Sequence, residues 1–186
     1  VAFIGENFWH QSRKEMLREN LERMRQANTD PLTKLPNRRF LEAVFFERAM
    51  QDPGAHFPLS AVVVDIDHFK TINDTYGHDI GDEVLIHITR LMKEAVRTTD
   101  VVARTGGEEF LVLFPHATLS QAVKLAEKMR KVIEANPFVE GDVNHSITAS
   151  FGVATALTDT NLHACLKQAD DNLYKAKNAG RNRVVE

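Results

Sequence analysis

The run Leu59–Ile66 constrains the fold of this chain more than any other segment. It is almost entirely apolar and contains three consecutive β-branched residues, Val62–Val64. A continuous apolar run of this length is typical of a strand that is buried on both faces. The segment Asp65-Ile66-Asp67 places two carboxylates at the end of this strand. Open α/β sheets commonly bind ligands at that end of their strands, so we expect a site there.

A second feature is the segment Arg104–Phe110, which reads RTGGEEF. Its glycines lie between two predicted strands, Asp100 to Ala103 and Glu109 to Phe114, and this spacing indicates a tight β-hairpin turn. Glycines also leave room for a ligand to approach the backbone. Glu108-Glu109 follow at once, where a turn directs side chains toward solvent or a bound ion. Alone, the segment fits an ordinary hairpin with an acidic second strand as well as it fits an ion site.

The length and composition of the chain limit the classes of protein to which it can belong. The 186 residues are enough for one domain with a substantial core. The hydrophobic and charged fractions, 43% and 26%, are those of a soluble globular protein, and the net charge of −3 argues against a broad nucleic-acid interface. The single cysteine, Cys165, excludes an internal disulfide and lies in an apolar helical pattern, which predicts a small core residue.

Neither a membrane span nor a secretory signal is visible in the sequence. No apolar run approaches the ~20 residues that cross a bilayer, and the start of the chain lacks the pattern of a signal peptide. The chain begins Val1-Ala2 without a methionine, so we expect it to have been excised from a longer protein.

Residues 6–28 predict a charged helix that precedes the domain. Leu17, Leu21 and Met24 are spaced by four and three residues, with His10 and Lys14 earlier on the same seam. This is one convincing heptad, fewer than a coiled coil requires. Two interpretations stay open: a solvated linker helix, and a stalk that couples an upstream module to the domain. We place the linker at residues 1–28 and the domain at residues 29–186.

Helical and strand patterns alternate after Asn28–Pro31, which breaks the first helix. The predicted elements are a helix with Phe40, Leu41, Val44 and Phe45 on one face, a short helix at 69–74, a long helix after Gly81-Asp82, a helix capped by Thr118, a strand from Ser146 to Ala154, and a helix from about Asn161 to Lys177 followed by Gly180. Together with the central hairpin they predict an α/β (α+β) sandwich, in which helices flank a mixed, mainly antiparallel sheet.

Asp65 and Glu108 are far apart in sequence, yet each lies where a strand gives way to a loop or turn. On neighbouring strands their carboxylates can share Mg²⁺, which prefers a few carboxylate oxygens and keeps positions for water and phosphate. Two such ions stabilise an in-line displacement at phosphorus. Lys70, Lys177 and Arg181 offer positive charge for phosphates. Without further information, the simpler interpretation of these residues, as solvated acidic strand ends and basic helix ends, is favoured.

Five ordered motifs resemble the GGDEF family of diguanylate cyclases. The signature is Gly106-Gly107-Glu108-Glu109-Phe110, with Glu in place of Asp at the third position, a common functional variant. The other matching stretches are Asp30–Arg39 (DPLTKLPNRR), Asp65–Asp82 (DIDHFKTINDTYGHDIGD), Ser150–Ala154 (SFGVA) and Ala169–Asn182 (ADDNLYKAKNAGRN). The resemblance extends from about Asn28 to the C-terminus, and five motifs in this order are highly specific.

The resemblance implies a fold like the palm of class III nucleotide cyclases. It also implies a reaction in which two GTP condense to cyclic di-GMP and two pyrophosphates, the 3′-hydroxyl of each GTP attacking the α-phosphate of the other. By position, Asp65, Glu108 and the Ile66 carbonyl are the implied ligands of Mg²⁺, with Mn²⁺ as a substitute. Glu109 either assists metal binding or activates the 3′-hydroxyl, which makes Glu109, Glu108 and Asp65 the implied catalytic residues.

The resemblance assigns guanine recognition to Asn73 and Asp82. Guanine presents N1–H and an exocyclic amine as donors, so one carboxylate can accept from both, whereas adenine has no such pair on that edge. An intact Asp82 therefore favours GTP over ATP. Taken alone, both residues fit turn and helix-cap chemistry. The remaining implied contacts are apolar walls for the base at Leu32 and Leu85, and phosphate contacts at Lys177, Arg181 and the backbone amides around Phe69 and Lys70.

Arg97 and Asp100 match an Arg-x-x-Asp pair that is the family's primary inhibitory site for the product. By resemblance, Arg97 engages guanine and phosphate while Asp100 accepts from the guanine edge. The simpler interpretation is a basic residue at a helix C-terminus followed by an acid before a strand. A second basic contact is expected from the next helix. Lys128 occupies that position with Arg130 nearby, and the choice between them stays open.

One chain carries one nucleotide site, yet the implied product contains two guanylates. We therefore expect a homodimer with facing half-sites, whose small-molecule partners are GTP and cyclic di-GMP, with no nucleic acid. The N-terminal helix then controls proximity under an upstream sensory or membrane domain. We expect a cytoplasmic domain, whether or not the parent protein is anchored in a membrane.

The competing function is a receptor that binds GTP or cyclic di-GMP without turnover and signals through a partner. Relatives of that kind usually lose signature acids or guanine contacts. This chain has kept all of them, which favours a catalyst.

Overall fold

The computed structural model describes residues 2–186, with side chains from residue 9 onward. The helices are α1 (Ala2–Asn28), α2 (Arg38–Phe40), α3 (Phe46–Gln51), α4 (Phe69–Tyr76), α5 (His78–Ala95), α6 (Leu119–Ala135) and α7 (Leu162–Asn178). The strands are β1 (Leu59–Ile66), β2 (Val101–Arg104), β3 (Glu109–Pro115), β4 (Phe138–Glu140), β5 (Val143–His145), β6 (Ala149–Ala156) and β7 (Val184–Val185). A π-helical turn, Leu41–Phe45, joins α2 to α3.

The main sheet has five strands in the order β2-β3-β1-β6-β7. All neighbours are antiparallel except β6 and β7, which are parallel. Strand β1 lies at the centre with the predicted bounds, and all of its residues but Asp65 are buried. The predicted fold class, a mixed, mainly antiparallel sheet flanked by helices, is therefore confirmed.

Alternate residues of β1 support the two layers of helices, because successive side chains of a strand point to opposite faces. Val62, Val64 and Ile66 pack into one core with α4, α5 and α6. Leu59, Ala61 and Val63 pack into the other with the segment from α2 to α3 and with α7. Asp65 continues this second set, so its side chain emerges on the face that α7 covers.

Helix α7 packs against β6 at Gly152. A Cβ on Gly152 would overlap the carbonyl oxygen of Ala169 and the amide nitrogen of Leu173, and it would lie 2.9 Å from the carbonyl carbon of Asn172. The Asn172 side chain donates to the Val153 carbonyl oxygen at 2.9 Å. Direct contact between helix backbone and sheet thus sets the height of α7, whose last turn carries Lys177.

Several sequence predictions hold and others are corrected. Thr118 caps α6 in a capping box with Gln121, and Cys165 is buried, which raises the pKa of its thiol to about 11. The strand predicted from Ser146 begins instead at Ala149, because its partner β1 ends at Ile66, the residue that pairs with Ala149.

The long helix begins before Gly81-Asp82 rather than after it. Gly77 has φ +89° and separates α4 from α5, so that Gly81 and Asp82 lie in the first turns of α5. The hairpin of β4 and β5 was not predicted, because each strand has only three residues and neither gives a clear alternation.

Helix α1 is the predicted N-terminal helix, and its apolar seam does not pack on the domain. Leu17, Leu21 and Met24 are 60–62% exposed. The end of α1 is tied to the domain by Asn37, which donates from its side chain to the Ala27 carbonyl at 2.9 Å. No helix within residues 2–186 combines the length and the apolar character that crossing a membrane demands.

Replacing Gly152 by alanine tests the contact between α7 and the sheet. We expect Gly152→Ala to lower the free energy of unfolding by about 2–3 kcal/mol, because the added methyl meets backbone atoms that cannot rotate away. Gly54→Ala is the matched control, since its Cβ has no heavy atom closer than 3.9 Å. Urea denaturation followed by circular dichroism measures both. Equal transition midpoints for the two variants would contradict the close packing.

Candidate active site

The pairing of β1 with β3 assembles the predicted acidic residues at one edge of the sheet. The antiparallel register places Asp65 directly opposite Glu109. The Ile66 N–H donates to the Glu108 carbonyl oxygen at 3.2 Å. Asp65, Ile66, Glu108 and Glu109 are thus neighbours, although the hairpin and the end of β1 are distant in sequence.

Arg104 holds the glycine turn in shape. Its guanidinium donates to the Gly107 carbonyl at 2.7 and 3.0 Å and to the Gly106 carbonyl at 3.2 Å. Its Nη1 contacts the Asp30 carboxylate at 3.1 and 3.2 Å. Burial acts to raise the pKa of Asp30, but hydrogen bonds from Thr33 and Arg104 outweigh it and hold that pKa below its ordinary value. Sequence reasoning assigned no role to either partner of this ion pair.

Lys177 reaches the acidic edge from the last turn of α7. Its Nζ lies 2.8 Å from Asp65 Oδ2, and both side chains are largely covered. Two predicted site residues, one an acid and one a base, are therefore paired with each other in the free protein.

The turn after α7 has an unusual backbone. Gly180, Arg181 and Asn182 all have positive φ, at +114°, +64° and +44°. Glycine and asparagine tolerate this conformation, but arginine adopts it rarely. The Arg181 N–H donates to the Ala176 carbonyl at 3.0 Å, which folds the turn back on the helix end. Strained conformations of this kind are frequent at binding sites.

Asp67 anchors that turn and does not join Asp65. Its carboxylate is buried and accepts from the hydroxyls of Thr148 and Ser150, both at 2.7 Å, and from the Asn182 N–H at 3.0 Å. The second acid of the Asp65-Ile66-Asp67 segment thus links β1, β6 and the turn that carries Arg181. Nothing in the sequence other than the acid itself indicated this role.

The Asn182 side chain is held from α6. Arg130 donates to its carboxamide oxygen at 2.9 Å, and its amide group donates to Glu134 at 2.8 Å. Arg130 is also paired with Glu127 at 2.6 Å. These contacts occupy Arg130 on the side of the molecule where Arg181 lies.

The acidic edge is electrostatically strained. Burial raises the pKa of Asp65, with Lys177 opposing the rise and Glu108 and Asp67 adding to it. Burial likewise raises the pKa of Glu109, with a hydrogen bond from Thr105 opposing and the charges of Asp170 and Asp65 adding. Carboxylates whose pKa is raised by burial and by neighbouring negative charge favour a bound cation. A cavity of about 170 Å³ opens beside Glu109 and Asp170.

The oxygen atoms at this edge are suitable ligands for a hard divalent cation that takes its remaining ligands from other molecules. Asp65 and Glu108 offer carboxylates, and Ile66 offers a backbone carbonyl. Within residues 2–186 no three acidic, histidine or cysteine side chains converge as a complete metal site. One or two carboxylates are sufficient for a cation that takes its other ligands from water and phosphate.

The predicted base-binding residues gather around α4 and α5. Leu85 is buried and Leu32 packs against the same core. Asn73 is half-buried and Asp82 is exposed. Within residues 2–186 neither polar side chain has a hydrogen-bond partner, so both are available to a ligand.

The start of α4 provides the predicted backbone amides. Phe69 is buried, so only its main chain can serve a ligand. The first N–H groups of a helix have no partner within the helix and favour anions. The Lys70 side chain is exposed and pairs with Asp74 at 2.7 Å.

Arg97 and Asp100 bind each other. Asp100 accepts from the Arg97 backbone N–H and from its Nη2, both at 2.7 Å, and its side chain is fully covered, while that of Arg97 is 46% exposed. Lys128 donates to the Ala95 carbonyl at 3.2 Å, at the end of α5 from which Arg97 emerges. The geometry therefore favours Lys128 over Arg130 as the neighbour of this pair.

Glu109→Gln tests the strain at the acidic edge. A raised pKa means that folding disfavours the ionised form, so the destabilisation is absent at acid pH and develops as the pH rises through the folded-state pKa. We expect the variant to raise the free energy of unfolding at pH 7 by on the order of 0.5 kcal/mol. This gain should disappear near pH 4.

Urea denaturation in a chelator measures the effect without divalent cations. Glu140→Gln, at an exposed position of β4, is the control and should change nothing. A gain of the same size at both pH values would contradict the electrostatic explanation.

The family model for the diguanylate cyclase GGDEF domain matches residues 27–183. The response regulator PleD from Caulobacter vibrioides is 42% identical over 175 residues, which are 92% of this chain and 38% of PleD. Diguanylate cyclase DgcP from Pseudomonas aeruginosa is 42% identical over 166 residues, which are 89% of this chain and 25% of DgcP. The chain thus spans less than half the length of these relatives.

Solved structures show the same relationship. The coiled coil and GGDEF domain of DgcB from Caulobacter crescentus, in complex with c-di-GMP, superposes with a TM-score of 0.83 at 30% identity, covering 100% of this chain and 99% of that one. The active GGEEF domain of a Vibrio cholerae diguanylate cyclase superposes with a TM-score of 0.71 at 37% identity, covering 80% and 95%. The chain therefore belongs to the GGDEF family of diguanylate cyclase domains.

Proposed function

We propose that this chain condenses two GTP into cyclic di-GMP and two pyrophosphates as a homodimer. The observation that carries the proposal is the antiparallel register that brings Asp65 opposite Glu109, with Glu108 beside Ile66 and Lys177 on Asp65. Acidic oxygens for a cation and basic groups for phosphates thus meet at one edge, as phosphoryl transfer requires.

We assign Mg²⁺, with Mn²⁺ as a substitute, to Asp65, Glu108 and the Ile66 carbonyl. When bound, the ion withdraws charge from the phosphates. Lys177 lies in the last turn of α7, and Arg181 lies in the strained turn that follows. We assign both to the triphosphate, together with the backbone amides of Phe69 and Lys70. Lys177 neutralises Asp65 in the free protein, so the same ammonium is already located where phosphates must lie.

Glu109 is assigned to the attacking 3′-hydroxyl. Its carboxylate is half-buried beside an open cavity, and its pKa is raised, which is the direction that suits a general base near neutral pH. The alternative role of Glu109 is to assist in binding the metal ion. Asn73 and Asp82 are assigned to the guanine edge, with Leu32 and Leu85 as apolar walls of the base pocket.

Two copies are needed because each contributes one nucleotide. The exposed seam of Leu17, Leu21 and Met24 on α1 provides a surface through which two copies can pair and bring their sites face to face. An upstream sensory or membrane domain then sets activity through α1. The substrate, GTP, assigns the domain to the cytoplasm.

Arg97, Asp100 and Lys128 are assigned to inhibition by the product. The guanidinium of Arg97 is half exposed, and the Lys128 ammonium lies on the carbonyl of Ala95, two residues earlier in the chain, so we assign both to one phosphate. Asp100, covered by Arg97 in the free protein, becomes available to guanine only when Arg97 turns outward.

Incubation with GTP and Mg²⁺ over a range of protein concentrations tests the activity. We expect cyclic di-GMP to form at a rate that rises faster than linearly with protein, since two copies must meet. Glu109→Ala should reduce this rate by about 10²-fold or more, whereas Glu140→Ala should not change it. A folded protein that binds GTP and forms no product at any concentration would make the domain a receptor and overturn the proposal.

Arg97→Ala tests product inhibition. We expect the concentration of cyclic di-GMP that halves the rate to rise about tenfold or more, because charge-assisted hydrogen bonds contribute ~1.5–3 kcal/mol each. Arg90→Ala is the matched control, an exposed arginine of the same region that pairs with Glu94. Equal inhibition of the two variants would rule out the assignment.

A further inference from the structure

Gly81 occupies a position in α5 that no backbone requirement explains. It is buried in the first turns of the helix and is not among the glycines with positive φ. Glycine within a helix costs about 0.5–1 kcal/mol relative to alanine. A residue that destabilises its own helix needs another reason to be there.

The reason is visible in the space next to Gly81. A Cβ at this position would overlap the carboxamide oxygen of Asn73, and it would lie 2.9 Å from Asn73 Cγ and 3.4 Å from Phe69 Cζ. The Asn73 side chain therefore fills the volume that the missing side chain leaves. Because Asn73 belongs to α4, the absent Cβ lets a polar group of one helix lie directly against the backbone of the next.

The group held in this way has no internal use. Among the side chains that the structure describes, from residue 9 onward, the Asn73 carboxamide has no hydrogen-bond partner, and neither has the carboxylate of Asp82, the residue that follows Gly81. A half-buried carboxamide that lies against the α5 backbone with its donors and acceptor unused is suited to a ligand, since this position otherwise yields no hydrogen bond.

We infer that Gly81 is a positioning residue for base recognition, which holds the carboxamide of Asn73 beside the helix position of Asp82 so that the two side chains can read one guanine. This inference rests on the proposed function, because it takes GTP as the ligand. Gly81 thus contributes to the selection of the purine although it has no side chain that could contact the base.

The inference predicts that Gly81→Ala leaves the stability of the fold unchanged or raises it, but weakens the binding of guanine. The clash falls on the end of a side chain that can rotate to another rotamer, so the fold can accommodate the methyl. Alanine also favours the helix. Stability should therefore stay level or rise, while the displaced carboxamide weakens guanine recognition. A purely structural role would lower both.

The test uses 3′-deoxy-GTP, which has no 3′-hydroxyl and cannot react, and 3′-deoxy-ITP, whose base lacks the exocyclic amine. Calorimetric titration in Mg²⁺ compares the wild type, Gly81→Ala, Asn73→Ala and the double variant, with Glu83→Ala as a control on the exposed side of α5. We expect Gly81→Ala to raise the Kd for 3′-deoxy-GTP about tenfold, the loss of one good hydrogen bond. The preference over 3′-deoxy-ITP should change as it does in Asn73→Ala, because both variants lose the same carboxamide contact.

The double variant makes the cause specific. If Gly81 acts through Asn73, the double variant binds as Asn73→Ala does, because the second change has nothing left to displace. Additive losses, or wild-type affinity in Gly81→Ala, would overturn the inference. If Gly81→Ala fails to fold, the double variant still decides: restored folding with the affinity of Asn73→Ala supports the contact, and a double variant that stays unfolded overturns it.

Failure of the proposed function has a different signature. A wild-type protein that binds neither nucleotide would remove GTP as the ligand and the inference with it. A wild-type protein that binds 3′-deoxy-GTP but forms no cyclic di-GMP from GTP would remove the cyclase activity alone and leave the role of Gly81 to be judged by the four affinities.

Discussion

The site depends above all on the register of β1 between its two antiparallel neighbours. Asp65 lies opposite Glu109 of β3 on one side and Ser150 of β6 on the other. A slip of one residue would turn Asp65 to the opposite face of the sheet, away from Lys177. Such a slip is unfavourable, because it would move the Asp65 carboxylate into the apolar core that Val62 and Val64 form with α4, α5 and α6. The apolar core thus specifies the position of the acids.

Polar contacts then secure what the register brings together. Arg104 donates to the carbonyls of the glycine turn and also to Asp30, which lies just after α1. Asp67 accepts from the backbone of the strained turn that carries Arg181. The carboxylates of Asp30 and Asp67 are satisfied by hydrogen bonds within the fold. Burial instead raises the pKa of both Asp65 and Glu109, and neighbouring carboxylates add to the rise. Natural proteins commonly keep such unfavourable charge at a functional site, where stability is exchanged for the capacity to bind.

Neighbouring acids in the same motif therefore serve different ends. Asp65 and Asp67 are two residues apart at the end of β1, Asp65 within the strand and Asp67 just beyond it. The Asp65 carboxylate faces Lys177 at the open edge, whereas that of Asp67 is buried among two hydroxyls and a backbone N–H. Two basic residues of α6 differ in the same way. Arg130 is held by Glu127 and Asn182, whereas Lys128 reaches the end of α5. Burial and available partners, rather than residue type, distinguish the members of each pair.

Elements with local signals could be predicted from the sequence alone. The apolar run predicted β1 with its bounds, the glycine pair predicted the hairpin, Thr118 predicted the cap of α6, and five ordered motifs indicated the family. The pairing of Lys177 with Asp65, the contact of Asp67 with Asn182 and the space that Gly81 leaves for Asn73 became visible only in the folded chain. Periodicity and turn chemistry depend on residues close in sequence, whereas these contacts depend on distances between elements that only packing brings together.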